Sequence, residues 1–211
     1  MARACARVRR EPSEVTLVAV SKTVPAERLS AAVAAGLTTL GENRVQEAEA
    51  KVAALPGVTW HLVGHLQLNK ARRAVELFDT IESLDSLELA VRLDRLAAEL
   101  GRALPVYLQV NVDRDEAKAG FTPEGLGRDL AELAGLANLR LEGLMTVGML
   151  VGTAEEARPT FVRLRELSER LRSEAGRLGT GLSMGMTDDF EVAIEEGATI
   201  VRVGRALFGE R

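Results

Sequence analysis

Lys22 follows the apolar run Leu17-Val18-Ala19-Val20 with only Ser21 between, the pattern of a buried strand that leads to an amine. An amine attacks a carbonyl carbon only when unprotonated, and partial burial beside another cation lowers a lysine's pKa toward neutrality. The other reading of a lone strand-end lysine is an ordinary salt bridge. Near the C-terminus, Ser183-Met184-Gly185-Met186-Thr187 and Gly204-Arg205 carry the glycines and turn residues with which backbone N–H groups and a helix N-terminus grip an anion, or which simply turn the chain. Arg202 lies between these segments and either donates to a ligand or pairs with Asp188, Asp189 or Glu191. His65 either orients a ligand or caps the helix that follows it. His61 and His65 straddle a strand end and its turn, and no third ligand falls at suitable spacing, so no metal site is expected. Met145, Met184 and Met186 suit a ligand wall or the core.

These residues are separated by a recurring unit: a short apolar or β-branched run, a polar or glycine-bearing turn, then a stretch with apolar spacing near 3.6. The pattern predicts strands over Thr16–Val20, Thr38–Leu40, Thr59–Val63, Thr80–Ser83, Pro105–Val110, Leu139–Met145, Gly181–Ser183 and Thr199–Val203. Helices are predicted over Ala26–Ala35, Arg44–Leu55, Asn69–Leu77, Leu87–Leu100, Glu124–Ala134, Ala154–Ala175 and Phe190–Glu196. Ser86 and Thr122-Pro123 supply helix-start chemistry, and Gly36, Gly101 and Gly197 fall where helices should stop. Glu47 and Lys51 read as an i,i+4 pair on the solvated face of the helix that carries them.

Eight strands alternating with helices fit a single closed (β/α)8 barrel of the TIM type, which needs about 200 residues, so residues 1–211 are expected to form one domain with a poorly defined leader over 1–12. An open doubly wound sheet ranks second, since no strand is followed by a GxGxxG turn with a downstream acidic residue. In the barrel, the strand exits form one mouth and bring together Ser21-Lys22-Thr23, Gly41-Glu42-Asn43-Arg44, Gly64-His65-Leu66-Gln67, Asp85, Asn111, Met145-Thr146, Ser183 to Met186 and Arg202 to Arg205.

Composition narrows the function classes. Basic residues number 27 against 31 acidic ones and aromatics are 3%, which argues against a phosphate-tracking or base-stacking surface and hence against nucleic acid. The basic opening is not followed by the apolar segment of about 7–15 residues that a secretory signal needs, and no run approaches the roughly 18 apolar residues of a membrane span. A single cysteine, Cys5, has no partner in the chain, so a reducing, cytoplasmic setting is expected.

Taken together, Leu17 to Thr23, Gly41-Glu42-Asn43-Arg44-Val45-Gln46-Glu47, Trp60 to Gln67 with Asn69-Lys70, Gly143-Leu144-Met145, Leu182 to Phe190, and Val201-Arg202-Val203-Gly204 with Phe208-Gly209 resemble the pyridoxal phosphate homeostasis protein family over nearly the whole chain. The resemblance implies a barrel of pyridoxal 5′-phosphate (PLP) fold type III, like the N-terminal domain of bacterial alanine racemase without its C-terminal β domain. It implies a non-catalytic carrier that buffers PLP and delivers it to apo PLP-dependent enzymes, and a monomer is expected. By the same resemblance Lys22 looks like the aldimine lysine, Asn43 a residue beside the cofactor, Ser183 with the backbone around Met184 part of a phosphate cradle, and Arg202 the arginine facing the pyridine nitrogen. His65, Met145, Gly204 and Arg205 complete the expected cofactor-binding set. Arg205 stands where the family usually has threonine, so the Gly204–Arg205 backbone or the guanidinium must replace a hydroxyl contact. A minor PLP-dependent racemase, or a lyase using the same lysine, is the alternative.

Overall fold

A computed structural model describes residues 1–149, 151–174 and 176–209. In chain order the elements are α1 (Ala2–Arg7), β1 (Thr16–Val20), α2 (Ala26–Ala34), β2 (Thr39–Glu42), α3 (Val45–Ala54), β3 (Thr59–Leu62), α4 (Ala71–Leu77), β4 (Thr80–Leu84), α5 (Leu87–Glu99), β5 (Leu104–Gln109), α6 (Pro123–Gly135), β6 (Leu139–Met145), α7 (Arg158–Glu174), β7 (Gly181–Ser183), α8 (Phe190–Glu195), β8 (Ile200–Val203) and α9 (Arg205–Phe208). The strands are parallel, each pairs with the next, and β1 pairs with β8, so the sheet closes into the expected barrel. Residues Val18 and Ala19 of β1 register against Arg202 and Val203 of β8, which places the exits carrying Lys22 and Gly204 side by side.

Period-two alternation splits the apolar residues between two cores. Outward residues such as Ala19, Leu40, Leu62, Ile81 and Leu108 pack with the buried stripes of the helices, for example Leu89, Leu93 and Leu96 of α5, into one continuous shell. Inside the barrel a smaller cluster holds Val18, Tyr107, Met145 and Ile200. Local signals operate as expected at several ends: Ser86 Oγ accepts from Leu89 N, Thr122 Oγ1 accepts from Gly125 N, and Gly36, Gly101 and Gly197 take positive φ just past helices.

Three boundaries differ from expectation by more than one residue. Strand β2 runs on through Gly41 and Glu42, which register against His61 and Leu62, instead of stopping at Leu40. The helix expected from Asn69 begins as a 3-10 turn over Leu68–Lys70. The helix expected from Ala154 likewise begins as a 3-10 turn over Ala154–Ala157, and the α-helix starts at Arg158-Pro159, where proline's missing N–H costs nothing in the first turn. Its expected last residue, Ala175, lies outside the described residues.

The leader, for which no element was expected, forms α1. Ala4 and Cys5 are fully buried. Arg7 bridges Glu191 and Glu195 at 2.6 Å each, and Arg10 Nη1 donates to the carbonyls of Ile194 and Ala198 at the end of α8. These contacts joined a short apolar pair to distant partners, which no local periodicity reveals. The Arg7 bond holds the Glu191 carboxyl below the ordinary glutamate value of 4.5, and the Arg158 bond, then that of Arg7, does the same for Glu195. A depressed folded-state value means that the stabilisation is present above about pH 4.5 and is lost as pH falls through the folded value. Amide exchange of residues 4–10, corrected for intrinsic rates, should therefore be constant at neutral pH and rise once acid protonates these glutamates; unchanged protection down to about pH 3 would refute the clamp.

Candidate functional site

The Lys22 turn is held by its neighbour in the barrel. Ser21 N donates to Gly41 O at 2.8 Å, and Ser21 Oγ donates to Glu42 Oε1 at 2.6 Å. Lys51 Nζ, reaching in from α3, donates to both Ser21 O and Glu42 Oε1, at 2.8 and 2.6 Å. On the other side Thr23 takes φ of +64°, a costly region for a β-branched residue, and its N–H is received by Glu47 Oε2 at 3.2 Å. Between these anchors Lys22 is half-buried. Lys51 and Lys118 are ion-paired, whereas Lys22 enters no ion pair among the described residues.

The i,i+4 pair expected between Glu47 and Lys51 is thus not formed. Glu42 is fully buried and Lys51 nearly so; a buried carboxylate needs its counter-charge more than an exposed one does, and it draws the amine inward. Glu47 is left to the Thr23 amide and, at 3.9 Å, to Arg44.

Asn43 and His65 share the walls of a cleft of 670 Å³ at the exits of β2 and β3, together with Arg44, Gly64, Gln67 and Lys70. The two exits touch: a Cβ on Gly64 would lie 2.3 Å from Asn43 O, so only glycine lets the loops approach. His65 is exposed, and its Nδ1 lies 2.8 Å from Asp85 Oδ2 at the exit of β4. Lys22 is not part of this cleft's wall.

Around the other half of the mouth the expected residues divide. Arg202 is buried, and its guanidinium donates to Ser183 Oγ and, at 2.7 Å, to Thr146 O. It pairs with neither Asp188, which meets Arg205, nor Glu191, which meets Arg7; Asp189 instead accepts from the Met186 amide at 2.6 Å. Ser183 is fully buried, and its hydroxyl also contacts Glu82 Oε2 at 2.5 Å. Met145 is buried inside the barrel beside Val18, Tyr107 and Ile200. Met184 points the other way, into the shell under the helices, and its N–H is bonded to Ile200 O. Gly204 is buried at the start of α9, with Arg205 exposed just beyond it.

Glu82 and His61 were not anticipated as site residues. His61 Nδ1 lies 2.6 Å from Glu82 Oε1, both buried within the barrel. Burial pushes the Glu82 carboxyl up, but the bond and charge of His61, the charge of Arg202 and the Ser183 bond outweigh it and hold the group below its ordinary value. Burial lowers the Arg202 guanidinium, opposed by the charges of Glu82 and Asp189. At the opposite end of the barrel, Tyr107 shares a cavity with the strand-opening residues Thr16, Thr39, Thr59 and Thr80. Burial, then the charges of Glu82 and Glu142, push its phenol up to about 12. Among the described residues no three metal-capable side chains converge, and no helix is long and apolar enough to cross a membrane.

A closed parallel barrel with a lysine at the end of its first strand and an arginine buried at the end of its last defines a protein of the alanine racemase N-terminal type, and residues 1–211 match the family described as alanine racemase, N-terminal domain. The chain belongs to the pyridoxal phosphate homeostasis protein family. A Synechocystis protein of that name is 42% identical over 203 residues, covering 95% of this chain and 93% of the relative. One from Aquifex aeolicus is 42% identical over 211 residues, covering 99% and 92%. The structure of PipY from Synechococcus elongatus with PLP bound superposes with a TM-score of 0.90 at 47% identity, covering 99% of both chains. Alanine racemase of Clostridium difficile, 18% identical with a TM-score of 0.74, is covered over 55% of its length and shares the fold.

Proposed function

We propose that this chain binds PLP covalently through Lys22 and serves PLP homeostasis as a non-catalytic carrier. The observation that carries the reading is the half-buried Lys22, in no ion pair among the described residues, at the exit of β1, whose neighbour β8 bears the buried Arg202, in a chain 47% identical to a protein whose structure holds PLP. The donor set fits the group. When bound, PLP brings an aldehyde that an amine captures reversibly and a pyridine ring that it can use as an electron sink. Lys22 supplies the amine. Arg202 would face the ring nitrogen, and because a guanidinium only donates, it would favour the unprotonated nitrogen and weaken the sink, which suits holding an aldehyde over demanding carbanion chemistry. Asn43, His65 and Met145 would line the cofactor, and the turns at Ser183-Met184 and Gly204-Arg205 would receive its phosphate. Since the Ser183 hydroxyl and the Met184 and Met186 amides are already engaged, the Gly185 amide and the Gly204–Arg205 backbone would carry most of that grip.

Racemisation requires acid–base groups on both faces of a bound amino acid. Tyr107, the only tyrosine, lies at the far end of the barrel with its phenol pushed up to about 12, so it cannot act at the mouth. This supports the carrier over the racemase that the shared fold also allows. The protein works, on this reading, as one PLP-binding domain, as a cytoplasmic monomer that hands PLP to apo-enzymes. Reduction of the PLP-loaded protein with borohydride, followed by peptide mapping, should place the label on Lys22, and amino-acid α-protons should not exchange in deuterated water. A label elsewhere refutes the site; rapid Lys22-dependent exchange makes the protein an enzyme.

A further inference from the structure

Parallel barrels ordinarily fill their interior with layered apolar side chains. Here a carboxylate occupies it. Glu82 on β4 is fully buried and touches three other strands: His61 Nδ1 of β3 at 2.6 Å, Ser183 Oγ of β7 at 2.5 Å and, at 3.9 Å, Arg202 Nη1 of β8.

With Glu82 ionised, the donors and acceptors follow from chemistry. A carboxylate only accepts and a guanidinium only donates. The single hydroxyl proton of Ser183 therefore goes to Glu82, its lone pair receives Arg202, and His61 gives its Nδ1 proton to Glu82. The second terminal nitrogen of Arg202 is spent on Thr146 O. A planar fork anchored at both tips cannot rotate, and its charge faces a carboxylate it does not touch directly.

We propose that Glu82 is a positioning residue for the cofactor: acting through Ser183, it fixes the orientation in which Arg202 meets the pyridine nitrogen and supplies the counter-charge that lets a guanidinium stand inside the barrel. The proposal rests on the PLP reading above. The groups facing Glu82 are His61 from β3, Tyr107 from β5, Ser183 from β7 and Arg202 from β8; behind them Glu142 acts on Tyr107, and Asp189 on Arg202. Within this set Glu82 and Arg202 are the opposed charges that bear on the cofactor's ring.

Glu82→Gln keeps the shape and removes the charge. With the loss of a buried negative charge, any protonated nitrogen on bound PLP is disfavoured, so the pH midpoint of the visible band should move down. PLP retention in equilibrium dialysis should weaken roughly ten- to hundredfold, the scale of a lost charge-assisted hydrogen bond. A double-mutant cycle with Arg202→Lys should give losses that do not add, because both substitutions disable one unit. Glu82→Asp keeps the charge but withdraws it by one methylene; the midpoint should stay near that of the wild type while retention still falls. A Glu82→Gln protein with wild-type midpoint and retention, or additive losses in the cycle, overturns the proposal. If Glu82→Gln fails to fold, wild-type retention in Glu82→Asp overturns it instead. A wild-type chain that takes up no PLP removes the functional reading and this inference with it, whereas wild-type uptake with an indifferent Glu82 removes this inference alone.

Discussion

Replacement of Lys22 by alanine is expected to abolish the visible band of the PLP-loaded protein and the borohydride label together, and to weaken PLP retention roughly hundredfold or more, since only non-covalent contacts remain. The fold should be indifferent to the change. Lys22 is half-buried and enters no ion pair among the described residues, so its removal opens no cavity and strands no charge; the stability change should lie within about 0.5 kcal/mol. Lys22→Arg is the sharper control, because it keeps the cation and removes the nucleophile. Equal loss in both variants assigns the effect to amine chemistry, while retention in Lys22→Arg would show that Lys22 serves only as a charge. A surviving label on Lys70, which lines the neighbouring cleft, would move the site to the β2–β3 exits.

What could be read in advance follows from which forces are local. The strand ends at Val20 and Val203 and the caps at Ser86 and Thr122 are set by a few adjacent residues, and eight alternating units in about 200 residues pointed to the closed barrel, in which the β1 exit carrying Lys22 lies next to β8, the strand of Arg202. The partners of Arg202 were not legible, because they lie on β4, on β7 and just past β6 and are fixed by barrel closure. One signal was available for Glu82. Thr59 and Thr80 open β3 and β4 and line the far cavity, so period two carries His61 and Glu82 inward as well, where polar side chains require partners. The leader shows the same limit from another side: Ala4 and Cys5 are buried only because α8 is present to receive them.

Lys51 illustrates the limit most sharply and supports the second large effect. On sequence spacing its partner is Glu47, and its deletion would cost tenths of a kcal/mol. In the fold it is the counter-charge of Glu42, whose Oε2 has no hydrogen-bond partner among the described residues and whose Oε1 carries both Ser21 Oγ and Lys51 Nζ. Lys51→Met should therefore destabilise the protein by about 3–5 kcal/mol in urea titration, the cost of an uncompensated buried charge, against a total stability of about 5–15 kcal/mol for a typical domain. Pairing it with Glu42→Leu should recover much of that loss, since no charge is then stranded. Retention of PLP should not recover. Lys51 also holds Ser21 O, and Glu42 holds Ser21 Oγ, so the double variant releases the residue before Lys22 from both grips while the strained Thr23 pulls from the other side. Stability restored with weak retention separates the two duties of the ion pair. A Lys51→Met protein that loses less than about 1 kcal/mol would show instead that the pair is solvated, as spacing alone suggests, and that the Lys22 turn is held by its own strand.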